Sequence, residues 1–174
     1  TWSMADLVGD PLYLDGVTCT VCHQVQPHNF GSEDSYSSGF VIDESRTIFG
    51  PYSNPFAAPM QNSSNYTPET GYLASGSGWV MDDSEHCATC HNLFTNYRIG
   101  YVGDTPILSE DKFPEQTPYY EWLNSDWYLE GISCQDCHMP QTATPIAIST
   151  RPRRLQPRTP FWYHEFVGGN RFML

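Results

Sequence analysis

The sequence predicts a mostly irregular, loop-rich fold with a few short helices and minor β structure. Three observations predict it. The 174 residues include 13 Gly and 14 Pro, which punctuate nearly every segment. Aromatic residues reach 14% and charged residues only 16%, whereas a disordered chain is poor in aromatics. All six Cys fall into three C-x-x-C pairs: Cys19 with Cys22, Cys87 with Cys90, and Cys134 with Cys137. The length suits one domain over 1–174, with an N-terminal arm over 1–18 and an extended C-terminal segment over 141–174.

The elements follow in chain order. Leu12-Tyr13-Leu14 reads as a short strand within the arm. Phe40-Val41-Ile42 and Thr47-Ile48-Phe49 flank Asp43-Glu44-Ser45-Arg46 and predict a small β-hairpin. Residues 50–78 are expected to be irregular, with turns at Gly50-Pro51 and Asn54-Pro55. Asp82-Asp83-Ser84-Glu85 supplies an N-cap and acidic first turn for a helix over roughly Ser84–Thr95. The same carboxylates are a candidate Ca2+ site. A second helix is expected at about Pro114–Leu123, with Pro early in its first turn. Beyond Pro140 the chain is expected to run extended through an Arg cluster to Trp162.

Charge excludes some partners. One Lys and seven Arg face 20 carboxylates, for a formal net charge of −12. No basic face exists for nucleic acid. No apolar run is long enough for a membrane span. Four of the eight cations are Arg151, Arg153, Arg154 and Arg158, so the acidity is concentrated toward the N-terminus. The start at Thr1-Trp2-Ser3 reads as a processed mature form or an excised portion.

Each C-x-x-C pair is followed directly by His, at His23, His91 and His138. With six His in the chain, three such coincidences would arise roughly once in 25,000 sequences of this composition. C-x-x-C-H is the attachment signature of c-type haem. Two thiols three residues apart meet the vinyl-derived carbons on one porphyrin edge, and the next His reaches the iron as proximal ligand. Three covalent haem c groups are therefore expected, and the porphyrins must form much of the core. Three His remain: His28, His86 and His164. Their number matches the three sixth positions, so bis-His coordination of all three irons is the economical expectation. Met60 is the best competing ligand and Met81 the next. His28 follows His23 closely, and His86 adjoins Cys87. Each is expected to cross to a neighbouring haem. Three of the six distal assignments within one chain then remain, and a ligand from an adjacent subunit stays open.

These residues resemble the multihaem c-type cytochromes of the large exported kind that serve dissimilatory electron transfer. The segments that carry the resemblance span nearly the whole chain. They include Cys19-Thr20-Val21-Cys22-His23-Gln24, Gly50-Pro51-Tyr52 and Cys87-Ala88-Thr89-Cys90-His91-Asn92-Leu93. Further on come Phe113-Pro114-Glu115-Gln116, Glu121-Trp122, Cys134-Gln135-Asp136-Cys137-His138-Met139-Pro140 and His164-Glu165-Phe166-Val167-Gly168-Gly169-Asn170. The last is similar to the family's H-x-F-x-G-G-N segment, whose His is a distal haem ligand. The resemblance implies little regular structure, close-stacked haems and an extracellular or periplasmic location. It implies electron transfer rather than enzymatic activity, with redox proteins or extracellular acceptors as partners. Similar small members stack head to tail into filaments, so a homopolymeric haem chain, or nanowire, is expected. The alternative is a multihaem reductase, or a soluble shuttle, with one open or Met-ligated haem.

Overall fold

Each C-x-x-C-H motif folds as a short helix in a computed structural model of the chain. The structure describes residues 18–44, 47–52, 55, 60–62, 83–147, 156–159 and 161–168. Residues 1–17 of the N-terminal arm, Met81, Asp82, Arg151, Arg153 and Arg154 lie outside the described residues. Contacts divide the chain into two compact units. One comprises Thr1–Ser35 with Gly39–Met81, the other Tyr36–Ser38 with Asp82–Leu174.

In the first unit, helix α1 (Cys19–Gln24) begins after Thr18, whose carbonyl accepts from Val21 N–H at 3.1 Å. It ends where Val25 turns extended and enters strand β1 (Val25–Gln26). Strand β1 pairs antiparallel with β2 (Val41–Ile42), with Val25 opposite Ile42. Strands β3 (Ile48–Gly50) and β4 (Met60–Asn62) pair in parallel. The expected hairpin between Phe40–Ile42 and Thr47–Phe49 therefore does not form: each limb pairs with a different segment. Val25 and Phe49 are buried, Phe49 completely, and β3 packs against α1.

The second unit is built on helix α2 (Ser84–His91) and a long hairpin. Strand β5 (Leu93–Val102) returns as β6 (Thr105–Gln116), and Val102 pairs with Thr105 across the two-residue loop Gly103-Asp104. Gly103 sits at φ +58°, as the first central position of a type II′ turn requires. Among the described residues each strand pairs on one edge alone, so Pro106 and Pro114 are tolerated within β6. The expected helix over Ser84–Thr95 is cut short because Leu93, Phe94 and Thr95 are drawn into β5. Phe94 pairs with Pro114 and Thr95 with Phe113. For the same reason the next helix, α3 (Pro118–Leu123), starts after Pro114, with Pro118 in its first turn. Short helices α4 (Asp126–Leu129) and α5 (Cys134–His138) follow.

The core of this unit is aromatic. Tyr36, Ala88 and Tyr119 are buried, and Phe94, Tyr120, Trp122 and Leu123 pack against them. The Tyr36 ring lies 5.6 Å from Tyr120, 6.0 Å from Tyr119 and 6.2 Å from Phe94, centroid to centroid. These are favourable aromatic separations. The residues after Tyr36 close the end of α2. Ser37 and Ser38 adopt left-handed conformations, and their N–H groups donate to the carbonyls of Asn92 (2.8 Å) and Thr89 (2.7 Å). They thereby satisfy acceptors at a helix terminus, where carbonyls lack intrahelical partners.

Past Pro140 the chain folds back on itself. Gln141 bridges to Trp162 and Ile146 to Arg158, both antiparallel. Thr142 N–H donates to Phe161 O at 2.8 Å, and Tyr163 N–H to Pro140 O at 2.9 Å. This ladder returns residues 164–168 to the third motif. No described helix is long and apolar enough to cross a membrane.

Candidate haem-attachment site

The three motifs share a local plan. Cys and His at positions i, i+3 and i+4 fall on one helical side, so two thiols and an imidazole converge without any distant contact. In α5 the start is fixed by a capping box. Asp136 N–H donates to Ser133 Oγ at 3.4 Å, and Ser133 N–H donates to Asp136 Oδ2 at 2.8 Å. The variable x-x residues of this motif thus help to set where its helix begins.

Two of the three motif histidines are oriented by backbone carbonyls. His23 Nδ1 lies 2.7 Å from Phe49 O. His138 Nδ1 is hydrogen-bonded to Val167 O. A carbonyl only accepts, so Nδ1 of each ring must carry the proton. The tautomer is then fixed, and the Nε2 lone pair is left to bind a metal. Ligating histidines characteristically make this second bond to a carbonyl or carboxylate, which orients the ring and raises its basicity. His91 lies exposed on the last turn of α2.

The segment containing His164 is held by the same contact. Val167 N–H donates to His138 O at 3.0 Å, and Gly168 lies against the His138 ring. His164 itself is exposed, with Nδ1 3.0 Å from Trp162 O. That carbonyl fixes its tautomer in the same sense, leaving Nε2 as the donor atom. His28 is exposed in a turn of the first unit, and His86 is half-buried on α2. Met60, the competing ligand, is 38% exposed on β4.

The second and third motifs meet. Helices α2 and α5 pack together. Cys134 N–H donates to Ser84 Oγ at 3.0 Å, and Gln135 Nε2 donates to Asp83 O at 2.9 Å. These bonds bring the Cys87 and Cys134 thiols into hydrogen-bonding contact. The Cys87 bond holds the Cys134 thiol down at about 6; burial opposes it, and Ser84 and His138 add to the lowering. Cys19, Cys90 and Cys137 are exposed, one thiol of each pair, while Cys22, Cys87 and Cys134 are half-buried.

A different ionisable group braces the helices. Tyr119 Oη donates to Glu85 Oε1 at 3.2 Å, and burial and the Glu85 charge push Tyr119 well above the ordinary tyrosine range. Tyr119 N–H donates to Oδ1 of the buried Asn92 at 3.2 Å. Of the carboxylates considered for Ca2+, Asp82 lies outside the described residues and Glu85 is engaged by Tyr119. Among the described residues, no three His, Cys, Asp or Glu side chains gather around a common point for a metal ion. Haem iron has a smaller requirement, because the porphyrin supplies four nitrogens and the protein only one or two ligands. The motif residues present fit that group: paired thiols beside an imidazole whose Nε2 is available.

The backbone acceptors Phe49 O and Val167 O were not anticipated from the sequence. A carbonyl carries no residue-type signal, although Val167 lies in the segment that carries the family resemblance. Searches of family models, curated proteins and solved structures found no match to this chain.

Proposed function

We propose that the chain carries three covalent haem c groups with bis-His iron and passes electrons along them as an exported electron-transfer protein. The observation that carries this reading is the carbonyl acceptor at Nδ1 of His23 and of His138. A histidine merely filling space has no need of a fixed tautomer with Nε2 presented. When bound, haem supplies one-electron exchange between ferric and ferrous iron. The chain's residues do the rest. Cys19 and Cys22, Cys87 and Cys90, and Cys134 and Cys137 anchor the macrocycles. His23, His91 and His138 are the proximal ligands. His28, His86 and His164 close the sixth positions and exclude substrate. The Cys87–Cys134 contact supports a short step between the second and third haems, because it brings their attachment edges together.

The distal assignment narrows further. Val167 is tied to the Nδ1 side of His138, which faces away from the iron that His138 would bind. His164 is thus read as ligand to a different iron. With His28 and His86 also excluded from their own haems, two within-chain assignments remain, and in both every distal His crosses to another motif.

The test is spectroscopic. Ferric EPR is expected to show low-spin signals alone, and the reduced protein is expected to bind no CO. A high-spin fraction that takes up CO would refute saturated coordination.

Polymerisation is part of the proposal. The acidic N-terminal portion and the Arg-rich C-terminal segment favour head-to-tail contact between unlike patches. The β5–β6 hairpin also leaves Ile99, Tyr101, Val102 and Leu108 exposed, and exposed apolar surface of this kind marks interaction sites. Electron micrographs of native material are expected to show fibres. A field of single particles at every concentration examined would remove the polymeric part of the reading.

A further inference from the structure

The outer half of the β5–β6 ribbon, from Tyr97 to Leu108, is apolar yet exposed. Tyr97, Ile99, Tyr101, Val102, Ile107 and Leu108 are each between 40% and 70% exposed. Two strands alone are marginal in water until another layer covers a face. A patch of this kind marks an interaction surface. It also lies away from the second motif: about 30 Å of extended strand, the ten residues of β5, separates the end of α2 from the Gly103 turn.

Backbone and side chains together select the kind of contact. The ribbon's edges are ill suited to adding a strand. Register shifts leave Tyr97 and Ile99 as extra residues in β5, and Pro106 and Pro114 interrupt the donors of β6. Bulges and prolines keep exposed edges from pairing. The side chains have the opposite character. The Arg98 guanidinium lies 4.7 Å from the centre of the Tyr101 ring and donates to Tyr101 Oη. An exposed Arg–Tyr pair among aliphatic residues has the composition of an interface hot spot. The contact is therefore one of faces, not of edges.

Charge selects the occupant. The chain carries −12, so two copies repel over most of their surface. Between Tyr97 and Leu108 the only Asp, Glu, Lys or Arg residues are Arg98 and Asp104, one of each sign, and both are exposed. A two-fold axis between them sets Arg98 of each copy against Asp104 of the other. The same apolar side chains then meet from both copies, which is the self-complementarity an isologous contact requires. The six apolar side chains leave roughly 600 Å² open, of the order of the about 800 Å² that each partner gives to a standard interface.

We propose that the outer β5–β6 ribbon docks a second copy of this chain, ribbon packed on ribbon across a two-fold axis, with Arg98 and Asp104 paired reciprocally between copies. This contact closes on itself, unlike the head-to-tail contact between unlike patches, and it needs no haem. Fibres that lack it would leave the polymer standing, and the contact without fibres would leave the ribbon pairing standing.

The test uses the full chain as purified, with the photo-crosslinking residue p-benzoylphenylalanine in place of Val102. Heavy-nitrogen and light-nitrogen copies are mixed, irradiated, digested and mapped by mass spectrometry. The expected result is a dominant cross-link between copies that joins the two β5–β6 ribbons. R98D alone and D104R alone should each lower its yield at least roughly tenfold, because each sets like charges against one another. An equimolar mixture of the two variants should restore it, since opposite charges then face across the axis. Restoration would also show that both variants fold. Absence of a cross-link between copies, a cross-link from position 102 to another segment, unchanged yield in the single variants, or no restoration in the mixture would each overturn the proposal. A parallel sample contains phosphatidylcholine vesicles, and label transfer to lipid in place of the second copy would equally overturn it.

Discussion

On the proposed bis-His reading, replacing His164 with Ala should open one of three haem irons. About one third of the ferric haem is expected to turn high-spin, and the same fraction should bind CO once reduced, because the vacated sixth position is opened to small ligands. Added imidazole should restore the low-spin spectrum. His164 is exposed, so the change should fall on coordination more than on folding. The assignment can be tested by removing the third haem with C134A and C137A in the H164A background. Because residues 164–168 are tied behind His138, the open iron is expected to belong to another motif. CO binding should then survive. If it disappears with the third haem, His164 serves the iron of its own neighbour and the crossing scheme is wrong.

The largest structural effect is expected at Tyr36. Its ring is 4% exposed and meets Phe94, Tyr119 and Tyr120. Truncating a buried aromatic to Ala costs about 3–5 kcal/mol through lost burial and the cavity left behind. That is a large share of the roughly 5–15 kcal/mol that holds a typical domain. Y36A is therefore expected to lower the urea midpoint of the second unit sharply. L129A, at a side chain 80% exposed, should change the stability by no more than about 0.5 kcal/mol and leave the midpoint nearly where it was. Equal midpoints for the two variants would show that Tyr36 is not central to this core.

The two kinds of information in the sequence were legible to different degrees. The three motifs could be read because thiols and imidazole at i, i+3 and i+4 are a local pattern, but only α2 was expected as a helix; the helical form of α1 and α5 emerges in the structure. The Ser84 start of α2 was read correctly, but its end was not. Leu93-Phe94-Thr95 can continue a helix or begin a strand, and the pairing with Phe113 and Pro114 decides for the strand. The Gly103-Asp104 turn was a usable signal. It was obscured by Pro106 and Pro114, which argue against an interior strand but are admissible in a two-stranded ribbon. Phe40–Ile42 and Thr47–Phe49 looked like two limbs of one hairpin, yet strand register is set by whichever partner buries Val25 and Phe49. Among site residues, the ring partners Phe49 O and Val167 O were invisible because they are main-chain atoms brought close by folding. The Cys87–Cys134 contact was hidden likewise, since it depends on Ser84 and Gln135 acting across two helices.

The plug formed by Tyr36, Ser37 and Ser38 also sets an order of events during synthesis. Phe94 N–H bonds to Ser37 Oγ across 57 residues. At about 5–20 residues per second, Tyr36 leaves the ribosome roughly 3–12 s before the strand that will cover it. During that interval the first attachment motif has emerged, whereas the second unit still lacks the chain it needs to close. The second motif becomes rigid only after translation has passed Phe94 and the earlier tripeptide has been recaptured.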